Sequence, residues 1–240
     1  MKIPTITGII DRRILVNFAV DPDIAKLIVP APFRPKIVNS KAIVGICLIR
    51  LKDVRPKGLP AFIGMGSENG AHRIAVEWQE DGEIKEGVYI PRRDTSSRFN
   101  TIVGGRIFPG RHYHAKFDVN EHNSNYHVAF ESSDGTTISI DAKITDTFNV
   151  DSVFKDLDTA SDFFKAGATG YSPNGDKYEG LLLHTENWKV EALEVSKVSS
   201  SFFEDESVFP KGTIMFDNAL LMTNIQHDWY SKPDKAVVNN

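Results

Sequence analysis

Arg92 and Arg93 stand side by side directly after the apolar run Gly87-Val88-Tyr89-Ile90 and Pro91. A guanidinium is planar and permanently charged, and its fork of N–H donors suits two-point binding of a carboxylate. Neighbours on an extended chain point to opposite faces, so at most one of the pair is expected to look inward, the other meeting solvent. Pro91 is expected to limit further pairing of the strand before it. An inward Arg92 would pair with Glu68 or with a ligand carboxylate, because a desolvated charge left alone costs several kcal/mol. The plain alternative is two solvated arginines, which need no function.

Other polar residues are read more simply. His112 and His114 share one face of a strand and could meet His122 or His127 across the sheet, a geometry that could hold a metal. No cysteine or carboxylate joins them at a ligand spacing, so solvated positions and no metal are expected. His184 follows Leu181-Leu182-Leu183 and reads as a core or rim histidine. Lys116 and Lys143 fall on the polar faces of their strands. Gly64-x-Gly66 lacks the third glycine of a dinucleotide fingerprint, and no Gly-x-Ser-x-Gly elbow occurs, so no cofactor is expected.

The elements that would position these groups are mostly strands. Tyr113, Ala115, Phe117 and Val119 alternate with polar neighbours; Tyr126, Val128 and Phe130 repeat the pattern; after Asp134-Gly135, so do Ile138, Ile140, Ala142 and Ile144. Three successive antiparallel strands follow from this. Further strands are expected at Ile6–Val20, Ala42–Leu51, His72–Trp78, Gly87–Ile90, Tyr178–His184, Val190–Val198 and Thr213–Met222. Helices are expected at Pro22–Val29, capped by Asp21, at Val153–Ala166, capped by Asp151 or Ser152, and from Ser96 to Phe108. So many locally connected strands favour an antiparallel β-barrel, with a sandwich second, because closure removes exposed edges. No repeat or long linker divides the chain, so residues 1–225 read as one domain and 226–240 as a polar C-terminal tail.

Composition excludes several classes. Of the 240 residues 41% are apolar and 25% charged, the balance of a chain with a packed core. The net charge of -4 offers no footprint for nucleic acid or an anionic membrane. Cys47, the single cysteine, lies in the apolar run Ala42–Ile49 and is expected to be buried as a small hydrophobe, with no disulfide within the chain. No leader or spanning helix is evident, so a cytoplasmic protein is expected.

The run Pro91-Arg92-Arg93 resembles the Pro-Lys-Lys of acetoacetate decarboxylases, whose first lysine forms the Schiff base, with both lysines replaced. Arg13-Ile14-Leu15-Val16-Asn17, Asp21–Leu27 and Val29-Pro30-Ala31-Pro32 resemble that family's opening strand, helix and turn. Through the resemblance, Arg13 falls on an active-site arginine, and Glu68, in Gly66-Ser67-Glu68, on an active-site glutamate. Asp162-Phe163-Phe164 and His184-Thr185-Glu186-Asn187-Trp188 resemble the uncharacterised bacterial YqjF-like family grouped with these decarboxylases. The resemblance implies an acetoacetate-decarboxylase-like barrel with a few short flanking helices.

Arginine cannot form an imine, which requires a neutral amine. The expected protein is therefore a barrel binding a small organic acid or carbonyl compound through Arg13, Glu68, Arg92 and Arg93, without Schiff-base decarboxylation, with assembly as a homo-oligomer left open. Two alternatives stand beside this: an enzyme of other chemistry with Glu68 as general acid or base, and a non-catalytic scaffold.

Overall fold

A computed structural model describes residues 4–98 and 109–237. Its strands are β1 (Ile6–Val20), β2 (Arg34–Pro35), β3 (Ile37–Val38), β4 (Lys41–Pro56), β5 (Met65–Glu80), β6 (Glu83–Thr95), β7 (His112–His122), β8 (Asn125–Ser132), β9 (Thr137–Thr145), β10 (Thr169–Asn174), β11 (Lys177–Thr185), β12 (Glu191–Ser200) and β13 (Ile214–Ala236). Helices α1 (Pro22–Ile28) and α2 (Leu157–Ala166) are short. Among the described residues no helix is long and apolar enough to cross a membrane.

All these strands belong to one sheet, and β6, β7, β8, β9, β12, β13, β1, β4 and β5 pair in turn until β5 meets β6 again. A second circuit branches from this ring: β6 also pairs with β10, β10 with β11, and β11 with β13. Strands β13, β1, β4, β5 and β6 are shared, so each has two faces to bury. Their sequences show why, since Ile14-Leu15-Val16 and Ala42–Leu48 are buried without alternation, the pattern of strands covered on both sides. One face carries Ile14, Val16, Val44, Ile46 and Ile74, which pack with Val128, Phe130, Ile138 and Ile140 inside the nine-stranded ring. On the other face Leu15, Ile43, Ala71, Ala75 and Ile90 pack against Phe154, Ala160 and Phe164. Burying each such side chain contributes on the order of 1.5–3 kcal/mol, which holds α2 to the sheet.

The alternating segments form β7, β8 and β9 in antiparallel sequence, and Gly135 takes φ 86° in the turn between β8 and β9. Several expectations are corrected. The sheet is not wholly antiparallel, because β6 runs parallel to both β7 and β10; the chain between Thr95 and His112 is long enough for the crossover that parallel pairing needs. β6 does not stop at Ile90 but continues through Pro91 to Thr95. Helix α2 begins at Leu157, where Asp156 accepts the Thr159 N–H at 2.8 Å. The residues before it are held instead by Asp217, whose carboxylate takes the Val153 N–H and the Ser152 hydroxyl, both at 2.7 Å. Asp21 sits at the start of α1, yet its side chain accepts from Lys41 rather than from the first turn.

Residues 226–236, expected as part of a polar C-terminal tail, are paired in the sheet. They extend β13, with Ile225, His227 and Trp229 buried at period two and Trp229 placed between Ile6 of β1 and Leu183 of β11. The polar outward residues between them hide that alternation from a composition-based reading. The helix expected from Ser96 to Phe108 lies for the most part outside the described residues.

Candidate functional site

Two β-bulges decide which arginines meet which face. In β6, Tyr89 faces Ile74 and Arg92 faces His72, so Arg73 alone stands opposite Ile90 and Pro91. Pro91 has no N–H to contribute to a ladder, and a bulge is where a strand tolerates that. The extra residue inverts the phase of the alternation: Val88, Ile90 and then Arg93 line one face, whereas Tyr89 and Arg92 line the other. In β1, Ile10 faces Leu51 and Arg12 faces Arg50, leaving Asp11 as the extra residue. Ile10 and Arg13 consequently share a face, and Arg12 is turned away.

Arg13 and Arg93 thereby line a cavity of about 110 Å³ inside the second circuit. Arg73 of β5 and Cys47 of β4 join them, and Phe163 and Phe164 of α2 with Trp188 and Trp229 supply apolar walls. The wall between β6 and β10 depends on glycine, since a Cβ on Gly87 would lie 2.3 Å from the Thr169 carbonyl oxygen.

The polar contacts in this cavity converge on sulfur. Arg73 Nε donates to Cys47 Sγ at 3.2 Å and Arg13 Nη2 approaches the same atom at 3.7 Å. Arg73 also donates to Asn17 Oδ1, and its guanidinium lies 4.8 Å from the Phe164 ring. Arg13 lies 5.8 Å from the Trp188 ring, and its Nε is buried with no hydrogen-bond partner. Arg93 Nε donates to Ser172 Oγ at 3.3 Å. Among the described residues no carboxylate pairs with Arg13, Arg73 or Arg93.

Electrostatics follow from this geometry. Burial lowers the Arg93 pKa to about 10, although Cys47 pulls it upward. Arg73 is lowered for the same reason, its desolvation outweighing the help of Cys47. Burial pushes the Cys47 thiol up, but Arg73 and Arg13 outweigh it and leave the group below the usual thiol range. Cys47 is buried, as its apolar run implies, but it accepts charged hydrogen bonds rather than acting only as a hydrophobe. At the edge of the cavity Lys36 bonds Glu86 and lies 4.4 Å from the Phe163 ring.

The remaining sequence candidates lie elsewhere. Arg92 holds Asp94 at 2.7 Å and Asp134 at 2.6 Å, with the Tyr113 ring at 4.1 Å. It therefore pairs with neither Glu68 nor the cavity. Glu68 is held by Arg12 at 2.6 Å and Arg50 at 2.5 Å in a cluster that includes Glu121. It does not line the cavity. His127 bonds Asp141 at 2.7 Å, and His112 lies 3.2 Å from the Gly110 carbonyl. His184 is exposed rather than buried, with its ring 6.3 Å from that of Tyr230. Sequence reasoning overlooked Arg73 and the role of Cys47. The signal for Arg73 was present in Ala71-His72-Arg73-Ile74-Ala75, where period two places an arginine between two alanines, with space around it.

A family model described as "Uncharacterized conserved protein (COG2071)", DUF2071, matches residues 10–217. No curated protein matches the chain. Among solved structures, acetoacetate decarboxylase from Legionella pneumophila is similar with a TM-score of 0.60 at 12% identity, covering 98% of this chain and 87% of that one. An acetoacetate decarboxylase-like enzyme from Sphingomonas wittichii also gives 0.60, at 10% identity over 100% and 95%. The enduracididine biosynthesis enzyme MppR, complexed with pyruvate, gives 0.56 at 8% identity over 98% and 90%. Identities this low carry the fold alone. With its bulged strands and shared sheet faces, this chain has the acetoacetate-decarboxylase-like fold and belongs to the DUF2071 family.

Proposed function

We propose that the chain binds a small organic acid or carbonyl compound in the cavity formed by Arg13, Arg73 and Arg93, without imine chemistry. The observation that carries this reading is the set of three guanidinium groups, free of carboxylate partners among the described residues, on walls that are otherwise largely apolar. Cations gathered in a partly enclosed site, Arg73 buried and Arg13 and Arg93 half-buried, favour an anion, and a charge-assisted two-point bond to a carboxylate is the strong form of that contact. A neighbour of the same fold complexed with pyruvate is in keeping with an acid ligand.

Imine formation requires an uncharged amine. Arg92, matched by resemblance to the Schiff-base lysine, is on the opposite face and bonded to two aspartates. Lys36, the lysine at the cavity edge, is tied by a bond to Glu86, although burial lowers its pKa. The alternative with Glu68 as general acid or base gains no support, because two arginines hold that carboxylate away from the cavity.

A thermal-shift screen of short carboxylic and keto acids tests the reading. A ligand at a hundred times its Kd adds about 2.7 kcal/mol to the folded state, so at least one acid should raise Tm in the parent protein and not in Arg93→Met. Borohydride added with a keto acid should leave the mass unchanged. A stable adduct on any lysine, or no acid that raises Tm, would overturn the proposal.

A further inference from the structure

Resting on the reading of the cavity as an acid site, we infer that its ligand is a short dicarboxylate, with one carboxylate on Arg93 and the other beside Arg13 and Arg73. The charges around the cavity lead there. Among the described residues four cations line it, Lys36, Arg13, Arg73 and Arg93, against a single carboxylate, Glu86, which bonds Lys36. Segments 1–3, 99–108 and 238–240 contain no aspartate or glutamate that could add another. Asp217 connects to Arg73 through the amides of Asn218 and Asn17, so two neutral side chains separate those charges. Of the other lining groups Cys47 alone can carry a negative charge, and in either protonation state one sulfur offsets at most one of the three guanidinium groups. At least two positive charges are therefore without an anion in direct contact.

Those charges are spread along the sheet. Cys47 of β4 faces Ala71 of β5, and Ala71 faces Arg93 of β6, so Arg93 stands in the same cross-strand row as the sulfur, two strands or about 10 Å away. Arg13 and Arg73 gather at the sulfur end of that row, their nitrogens 3.7 and 3.2 Å from Sγ. At the far end Arg93 meets a neutral hydroxyl, that of Ser172, at 3.3 Å. A neutral partner does not offset a charge, whereas a ligand carboxylate does. The cavity wall between the two ends includes the small side chain of Ala71 and the apolar Ile90. A volume of about 110 Å³ suits a body of a few carbons. An apolar chain of about four carbons with an acid at each end matches both the charges and the wall between them. A monoacid leaves one end of the row unmet, and that difference is the basis of the expected selectivity.

Succinate, its monoamide succinamate, butyrate and inorganic phosphate, titrated by calorimetry against the full chain, separate the possibilities. Succinamate keeps the length of succinate with one end neutral, and phosphate holds its charges on one centre. The parent should bind succinate at least about tenfold more tightly than any of the other three, as expected for one further charged hydrogen-bonded contact. Arg13→Met should lower the ratio of succinate to succinamate affinity at least about threefold while leaving butyrate within about twofold. Arg13→Lys keeps the charge and should retain most of that ratio. The ratio in the parent is read without any variant, so the test stands even where Arg13→Met fails to fold.

Binding of succinate no tighter than succinamate, or weaker than phosphate, would overturn the inference while leaving the acid-binding reading intact. A ratio unmoved by Arg13→Met, or lowered as far by Arg13→Lys, would do the same. Failure of every carboxylate to bind would overturn the inference together with the reading beneath it.

Discussion

The chain contains two Arg-Arg pairs, Arg12-Arg13 in β1 and Arg92-Arg93 in β6, and in each pair the two members meet opposite fates. The first member turns toward the nine-stranded ring and is neutralised there by two carboxylates: Arg12 by Glu68 and Glu121, Arg92 by Asp94 and Asp134. The second turns into the cavity and meets only sulfur, a hydroxyl or an aromatic face. Chemistry does not separate them, since all four are arginines. The difference lies in what each face supplies. A guanidinium whose field is already matched consolidates the fold, and an unmatched one is available to a ligand.

This contrast is most sharply broken by removing one cation from each face. Arg92→Met should destabilise the protein by about 3–5 kcal/mol, because it leaves Asp94, which is 1% exposed, buried beside Asp134 without a counter-charge. Arg93→Met strands no carboxylate and should change stability by under about 1 kcal/mol. Urea denaturation of the two variants checks this, and equal losses would erase the distinction.

Buried histidines on both faces of the sheet should also respond to acid, His72 on the ring side and His227 on the side of the cavity wall Trp229. His72 is fully buried, and burial together with Arg92 lowers its pKa to about 3; burial likewise takes His227 to about 4. The unfolded chain takes up these protons near pH 6.5, well before the fold does. The stability the two neutral rings confer is therefore complete above about pH 6.5 and is lost as pH falls toward 4. Near the lower end the loss steepens to about 1.4 kcal/mol per pH unit for each histidine. His72→Phe should flatten that slope, as followed by denaturation between those two pH values.

Smaller effects sharpen the account. Asp156→Ala removes the side chain that receives the Thr159 N–H and should cost about 1 kcal/mol, loosening the helix that carries Phe163 and Phe164 over the cavity. For Cys47, an anionic alkylating reagent should react faster relative to a neutral one than it does with a free thiol in solution, and Arg93→Met should reduce that advantage. Competition experiments with the two reagents give this directly.

Much of the fold was legible. β1 runs from Ile6 to Val20 as its apolar run implies, and the alternation from Tyr113 to Ile144 yields three paired strands, because period-two burial is a local property. The polar end of β13 was not legible, since Trp229 is buried by β11, a partner distant in sequence. At the site, the rule that adjacent arginines face opposite ways applies, but choosing between Arg92 and Arg93 depended on the bulge at Pro91. One extra residue inverts the face of every later side chain. Pro91 was itself the visible mark of that irregularity, although it signals a bulge within the strand and not the end of one. Glu68 was nominated by resemblance, and the resemblance gave no sight of Arg12 and Arg50, which hold it.

The central claim is that Arg93, and not Arg92, receives the ligand's carboxylate. Calorimetric titration of butyrate into Arg93→Met and Arg92→Met, each shown to be folded by near-ultraviolet circular dichroism, measures this most directly. Arg12→Met serves as a second ring-face variant should Arg92→Met fail to fold. Arg93→Met should weaken binding by about 1.5–3 kcal/mol, and the ring-face variant should retain the parent affinity. Undiminished binding by Arg93→Met, with loss of binding in the ring-face variant, would place the acid on the other face of the sheet and contradict the account.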